Sequence, residues 1–236
     1  MTSPPDKSPQ ISIVLPVHNQ GDHIADVLRS YLAVLQQAEL DFELVLVVNG
    51  KQRDASLERC QEVAAADRRV RVHVTEKGGW GWAVRQGLAL SRGACLCYTN
   101  SARTRAEDLL LFLLYARAYP AVVVKANRKI RASVRRRLGS VLYNFECRAL
   151  FDLASWDVNG TPKVFPRSFS HLLNLTRDDD LIDLEFAIIC AREKYPLIEI
   201  PIVSTTRHGG KSTTNMRSAI RMYIGALKMF HNAKNL

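Results

Sequence analysis

The stretch RKIRASVRRR, from Arg128 to Arg137, sets Arg128, Lys129, Arg131, Arg135, Arg136 and Arg137 close together. Guanidinium groups at such density can grip phosphate oxygens bidentately, or simply form a solvated basic face. A second polar run, TTRHGGKSTTN, contains Gly-Lys-Ser, but a phosphate-binding P-loop needs a glycine where Thr205 stands, so that reading fails. The glycine-rich KGGWGW from Lys77 lacks the dinucleotide fingerprint and reads as a tight turn opening a helix. Asp178, Asp179 and Asp180 read as a helix-capping run, and Asp183 as a secondary candidate for a general base. The turn Thr99-Asn100-Ser101 offers only neutral oxygens, whereas hard divalent cations favour carboxylates.

The elements that must hold these residues follow from the apolar pattern. ISIVLPV from Ile11, FELVLVV from Phe42, VRVHVT from Val70, ACLCYT from Ala94, AVVVKAN from Ala121 and LIEIPIV from Leu197 read as buried strands, the first broken at Pro16. Helical periodicity opens at Gly21 and runs through Ile24, Val27, Leu28, Tyr31 and Leu35. It recurs over Leu57–Ala65, Trp82–Leu90, Ala106–Ala118, Ala132–Leu150 and Leu181–Lys194, and in a terminal helix. Val134, Leu138, Val141, Leu142 and Phe145 are expected to be the buried face of the basic helix. Met216, Ala219, Ile220, Tyr223, Ile224, Leu227 and Phe230 form the stripe of the last one, which suits an anionic membrane surface or packing against protein. Alternation of this kind predicts an α/β fold with a mostly parallel sheet, helices on both faces, and ligands at the carboxyl ends of the strands.

Composition bounds the rest. In 236 residues, 47% are apolar and 24% charged, enough for one large domain over residues 11–236 behind a polar, Pro-rich tail at 1–10. Five cysteines without Cys-x-x-Cys spacing read as buried thiols. No apolar window reaches the roughly 18 residues of a membrane span, so the expected location is the cytoplasm, peripherally at the inner face of a membrane for a lipid partner. A net charge of +10 calls for an anionic partner. Nucleic acid is disfavoured, because no aromatic-interleaved basic strand accompanies the charge.

Five segments, ISIVLPVHNQGDHIADVL, ELVLVVNGKQRDAS, GGWGWAVRQGLALSRG, DVNGTPKVFPRS and LIEIPIVSTTRHGGKS, resemble in order and spacing the family 2 glycosyltransferases of GT-A (Rossmann-like) fold. The branch they most resemble is the dolichol- or polyprenyl-phosphate mannosyl- and glucosyltransferases. The resemblance implies an inverting transfer of a hexose from a nucleotide sugar, UDP- or GDP-linked, to a phosphorylated lipid or saccharide acceptor. It places Pro16, Val17, His18, Asn19, Asn49, Asp54 and the turn Thr99, Asn100, Ser101 at the donor, and Arg128, Arg136, Ser140 and Lys163 at the acceptor phosphate. Asp157 becomes the acceptor-side carboxylate: a general base for a hydroxyl, or an orienting group for a phosphate, which is already largely ionised at neutral pH. Arg207 and Lys211, with His208 nearby, become the clamp on the donor diphosphate.

Two departures from the family stand out. Its Asp-Asp-Gly-Ser loop reads Asn49, Gly50, Lys51, Gln52, and its metal-holding Asp-x-Asp reads Thr99, Asn100, Ser101. No tightly bound cofactor or metal is therefore expected, the alternative being Mg²⁺ or Mn²⁺ carried in by the donor diphosphate. Other outcomes compatible with these residues are transfer to a saccharide or small-molecule hydroxyl, and a transferase-derived nucleotide-binding protein without activity.

Overall fold

The computed structural model describes residues 8–131, 134–204, 208–209 and 216–234, with the side chains of 130–138, 204, 216–219 and 233–234 outside that description. Strands β1 (Ile11–Val17), β2 (Phe42–Asn49), β3 (Val70–Thr75), β4 (Cys95–Tyr98), β5 (Val123–Arg131), β6 (Lys163–Pro166) and β7 (Leu197–Ser204) form one sheet in the order β3-β2-β1-β4-β6-β5-β7. All neighbours are parallel except β6, which runs against β4 and β5. The helices are α1 (Ile24–Gln37), α2 (Ser56–Ala66), α3 (Trp80–Leu90), α4 (Ala106–Ala118), α5 (Val134–Phe151), α6 (Ile182–Arg192) and α7 (Met216–Lys234). No helix among the described residues is long and apolar enough to cross a membrane.

The strands are near-continuous apolar runs because both faces are covered. On one face Ile13, Leu15, Leu44 and Leu46 pack against Leu28 and Tyr31 of α1 and Leu109 and Phe112 of α4. On the other, Val14, Val45, Tyr98 and Phe165 meet Val84 and Leu88 of α3 and Phe186 of α6. A third cluster joins α5, α6 and α7 through Tyr143, Cys147, Leu184 and Ala226.

Four expectations are corrected. Pro16 does not break β1, which stays in register with β2 through Val17↔Val48. Pairing of β1 with β4 ends at Val14↔Tyr98, and Pro16 turns its missing N–H toward that vacated side. The segment KVFP, inside what reads as a loop, is β6; four residues are too few for a periodic signal. The buried side of α5 is Tyr143 and Cys147, while Val141, Leu142 and Phe145 face solvent. Finally, Asp178 does not cap α6 but pairs with Lys77 at 2.6 Å and with Arg85, and Asp179 Oδ1 accepts the Leu181 N–H at 3.1 Å.

Candidate active site

Parallel strands direct the loops after β1, β2, β3 and β4 to one edge of the sheet, and the antiparallel β6 begins at that same edge. Lys163, its first residue, therefore lies beside both Tyr98, the last residue of β4, and Lys125 of β5.

The loops after β1, β2 and β3 are stitched together by the residues expected at the donor. His18 Nδ1 donates to the Asn49 carbonyl at 2.7 Å while its Nε2 accepts from Asn19 Nδ2 at 3.1 Å, which fixes the tautomer. Asn49, buried, donates to the Val17 carbonyl at 3.0 Å and accepts the Gly79 N–H at 3.2 Å. Gly79 has φ +143°, and a Cβ there would stand 2.5 Å from the Asp178 carbonyl, so the turn opening α3 admits only glycine. Asp54 accepts the Gly21 N–H at 2.8 Å, and the Ser56 N–H and hydroxyl at 3.1 and 2.5 Å. Partial burial works against its charge, but these hydrogen bonds hold the carboxyl below the usual aspartate range. Asn49 and Asp54 thus spend their polar atoms shaping the rim.

The turn after β4 is built from hydroxyls turned inward. Thr99 and Ser101 are fully buried: Thr99 Oγ1 meets Thr104 Oγ1 at 2.7 Å, and Ser101 Oγ donates to Gln20 Oε1 at 2.7 Å. Asn100 Oδ1 accepts the Ala102 N–H at 3.0 Å. With no carboxylate and its hydroxyls already engaged, this turn does not fit a divalent cation. No cluster of three or more His, Cys, Asp or Glu capable of holding one occurs among the described residues.

Among the described residues expected at the acceptor, the charges are paired and largely withdrawn from solvent. Arg128 Nε and Nη2 donate to Asp157 Oδ2 and Oδ1 at 2.7 and 2.8 Å, and the Arg128 backbone N–H reaches Oδ2 at 2.9 Å. The register of β5 against β7 slips between Arg128 and Ile130. Ahead of that slip, strand alternation already aims the Arg128 N–H away from β7, to the side where the Ala126 N–H meets the Pro162 carbonyl at 2.9 Å. Lys125, fully buried, bonds Glu199 Oε1 at 2.7 Å and the Asp157 carbonyl at 2.5 Å. Glu199 also accepts the Trp156 and Asp157 N–H groups at 3.0 and 3.2 Å. A Cβ on Gly160 would stand 1.9 Å from the Ala126 carbonyl; glycine lets this loop lie against β5.

Lys163, also fully buried, pairs with Asp183. Burial, reinforced by Lys125 and Arg128, outweighs Asp183 and lowers the Lys163 ammonium to about 8. Asp183 further accepts from Tyr98 Oη at 2.9 Å and Trp80 Nε1 at 3.1 Å, so this secondary base candidate is fully engaged. Ser140 lies 3.5 Å from Asn144 Nδ2, and Asn144 Oδ1 accepts the Val158 N–H at 3.1 Å, tying α5 to the Asp157 loop.

Of the sequence-derived residues, Arg128, Asp157 and Lys163 come together, with Ser140 linked through Asn144. The donor set forms a separate rim joined to them by Tyr98. The Arg136 side chain, Arg207 and Lys211 lie outside the described residues. Next to Arg207 in sequence, the His208 N–H donates to the Ala102 carbonyl and its Nε2 to the Thr104 carbonyl, both at 2.9 Å, so His208 sits on the segment that directly follows Thr99–Ser101. Sequence reasoning missed Lys125, Glu199, Tyr98 and Trp80. The signal for the first two was a lone charge inside a continuous apolar strand, which is costly unless paired.

A seven-stranded, largely parallel sheet with loops converging on one edge is the Rossmann-like architecture of GT-A glycosyltransferases. The crystal structure of a mycobacterial protein superposes with TM-score 0.72 at 18% identity, over 94% of this chain and 74% of that one. Glucosyl-3-phosphoglycerate synthase from Mycobacterium tuberculosis, in complex with Mn²⁺, UDP and phosphoglyceric acid, gives 0.69 at 17%, over 94% and 78%. An undecaprenyl-phosphate 4-deoxy-4-formamido-L-arabinose transferase of Pseudomonas fluorescens (strain Pf0-1) is 42% identical over 55 residues, which is 23% of this chain and 16% of that protein. Residues 12–172 match the glycosyl transferase family 2 model, and the chain belongs to that family.

Proposed function

We propose that the chain transfers a hexose, with inversion, from a UDP- or GDP-sugar to a polyprenyl phosphate or related phosphorylated acceptor. An acceptor oxygen attacks the anomeric carbon as the bond to the donor diphosphate breaks, and the nucleoside diphosphate leaves. The observation that carries the phosphate acceptor is the state of Asp157. Both its oxygens already accept hydrogen bonds from Arg128, so it is committed to holding a guanidinium rather than to taking a proton from a hydroxyl. A phosphate needs no such base. The likeness to the undecaprenyl-phosphate transferase supports a lipid carrier, with the enzyme at the cytoplasmic face of a membrane and residues 11–236 as one catalytic domain.

In this reading Arg128, Arg136, Ser140 and Lys163 receive the acceptor phosphate, and the rim of Pro16, Val17, His18, Asn19, Asn49 and Asp54 receives the nucleoside. Charge on the leaving diphosphate is met by Arg207 and Lys211, since Thr99, Asn100 and Ser101 do not suit a metal. A second reading, a soluble phosphorylated acceptor, is favoured by the likeness to a synthase crystallised with phosphoglyceric acid.

The test is a transfer assay with UDP- and GDP-hexoses against a short-chain polyprenyl phosphate in detergent, 3-phosphoglycerate, and no acceptor. Glycosylated polyprenyl phosphate is the expected product. Transfer to 3-phosphoglycerate alone would select the soluble acceptor, and nucleotide binding without any turnover would make the protein an inactive binding module.

A further inference from the structure

Helix α5 is amphipathic in the sense opposite to a core helix. Tyr143 and Cys147 are buried, whereas Val141, Leu142 and Phe145 are exposed, Phe145 by 72%. At 3.6 residues per turn these three share an arc of about 100° roughly opposite the buried pair, so they face away from the body of the protein. Helix α7 packs on α5 through Tyr223, whose ring lies 5.5 Å from Tyr143 and whose hydroxyl donates to the Gly139 carbonyl at 2.7 Å. Its stripe Ile220, Ile224 and Leu227, at helical spacing, is about half exposed. Beside α5, Trp156 is 63% exposed with the Arg148 guanidinium 3.7 Å over its ring.

Charge selects the occupant. α7 contains no acidic residue and α5 only Glu146, whereas Arg221 and Lys228 of α7 are exposed cations on the helix that carries the apolar stripe. A second copy in a twofold interface would set this cationic rim against itself. Apolar stripes flanked by cations, with a tryptophan at the margin, match acyl chains beneath anionic headgroups.

We propose that the exposed faces of α5 and α7, with Trp156, seat the enzyme on an anionic lipid bilayer. This deepens the lipid-acceptor reading and rests on it for its purpose, since Arg128 and the start of α5 adjoin the acceptor side. Docking uses headgroup charge and acyl packing, so it needs no polyprenyl phosphate.

Cosedimentation with phosphatidylcholine vesicles, with and without phosphatidylglycerol and free of polyprenyl phosphate, tests it. The full chain should bind the phosphatidylglycerol vesicles and release with salt. The double variants Leu142→Ser/Phe145→Ser and Arg221→Glu/Lys228→Glu should each weaken binding roughly tenfold. Because the side chains are exposed, their thermal melts should match the wild type, and a shifted melt would be met by repeating the test with Ile224→Ser alone. Absence of binding to phosphatidylglycerol vesicles overturns the proposal, as does an apolar variant that binds normally but turns a dimer into a monomer in equilibrium sedimentation. Transfer to polyprenyl phosphate in detergent without vesicle binding sinks only the surface; vesicle binding without transfer sinks only the acceptor reading.

Discussion

Arg128 holds Asp157 with both arms of its guanidinium and with its own backbone N–H, although the two residues are 29 positions apart. Asp157 is buried and Arg128 half-buried, and desolvation works against the Arg128 charge, yet Asp157 holds its proton affinity above the usual arginine value. The carboxylate therefore positions a cation at the edge of the sheet where the acceptor is proposed to bind.

Asp157→Asn should raise the acceptor KM about tenfold while kcat at saturation stays within a few-fold, because it loosens Arg128 without removing a proton acceptor from the reaction. Loss of one charge from a buried pair should also cost on the order of 3 kcal/mol of stability. A kcat fallen by roughly a hundredfold or more at unchanged acceptor KM would restore Asp157 as a general base.

Lys163 gives the site a pH dependence. Its folded value of about 8 lies below the ordinary 10.5, so between these values the unfolded chain binds more protons than the native one. This group's contribution to stability accordingly rises with pH through that window and is lost as pH falls through about 8. Site charge moves the other way, since the native ammonium deprotonates above about 8. Acceptor affinity should fall on that alkaline side, Lys163→Arg should abolish the dependence, and Lys163→Met should bind weakly at every pH. An unchanged alkaline limb in both variants would assign it to another group.

Transfer should persist in excess EDTA and be crippled by Arg207→Ala, since the leaving diphosphate then relies on protein cations rather than on a metal held at Thr99, Asn100 and Ser101. Activity that disappears with EDTA and returns with Mg²⁺ or Mn²⁺ would place a cation on the donor itself. Direct metal titration by calorimetry, without nucleotide, separates the two and should record no binding.

Asp54→Ala should lower stability by about 1 kcal/mol, or roughly 2–4 °C in Tm, by releasing Gly21 and Ser56. The same substitution should weaken nucleotide binding by loosening the rim. With its folded value depressed, Asp54 contributes stability above the usual aspartate value that is lost as pH falls through the lower folded one. A Tm indistinguishable from wild type between pH 3 and 7, as a rough range, would leave Asp54 without this role.

Continuous apolar runs such as ISIVLPV and FELVLVV were sufficient to read the parallel strands, because a strand buried on both faces has no polar alternation. The helices between them followed from a 3.6-residue period that a single chain segment displays by itself. Arg128, Asp157, Lys163 and Asp183 could be picked out, but not which of them pair. Arg128–Asp157, Lys163–Asp183 and Lys125–Glu199 are separated by 29, 20 and 74 residues, and only the sheet order brings them into contact. The antiparallel β6 decides this, since reversing one short strand carries Lys163 to the ends of its neighbours, and four residues carry no period that announces the reversal. The apolar face of α5 was equally visible in the sequence, but periodicity reports which residues share a side and not what covers it. Tertiary packing turned Tyr143 and Cys147 inward and left Phe145 to the solvent.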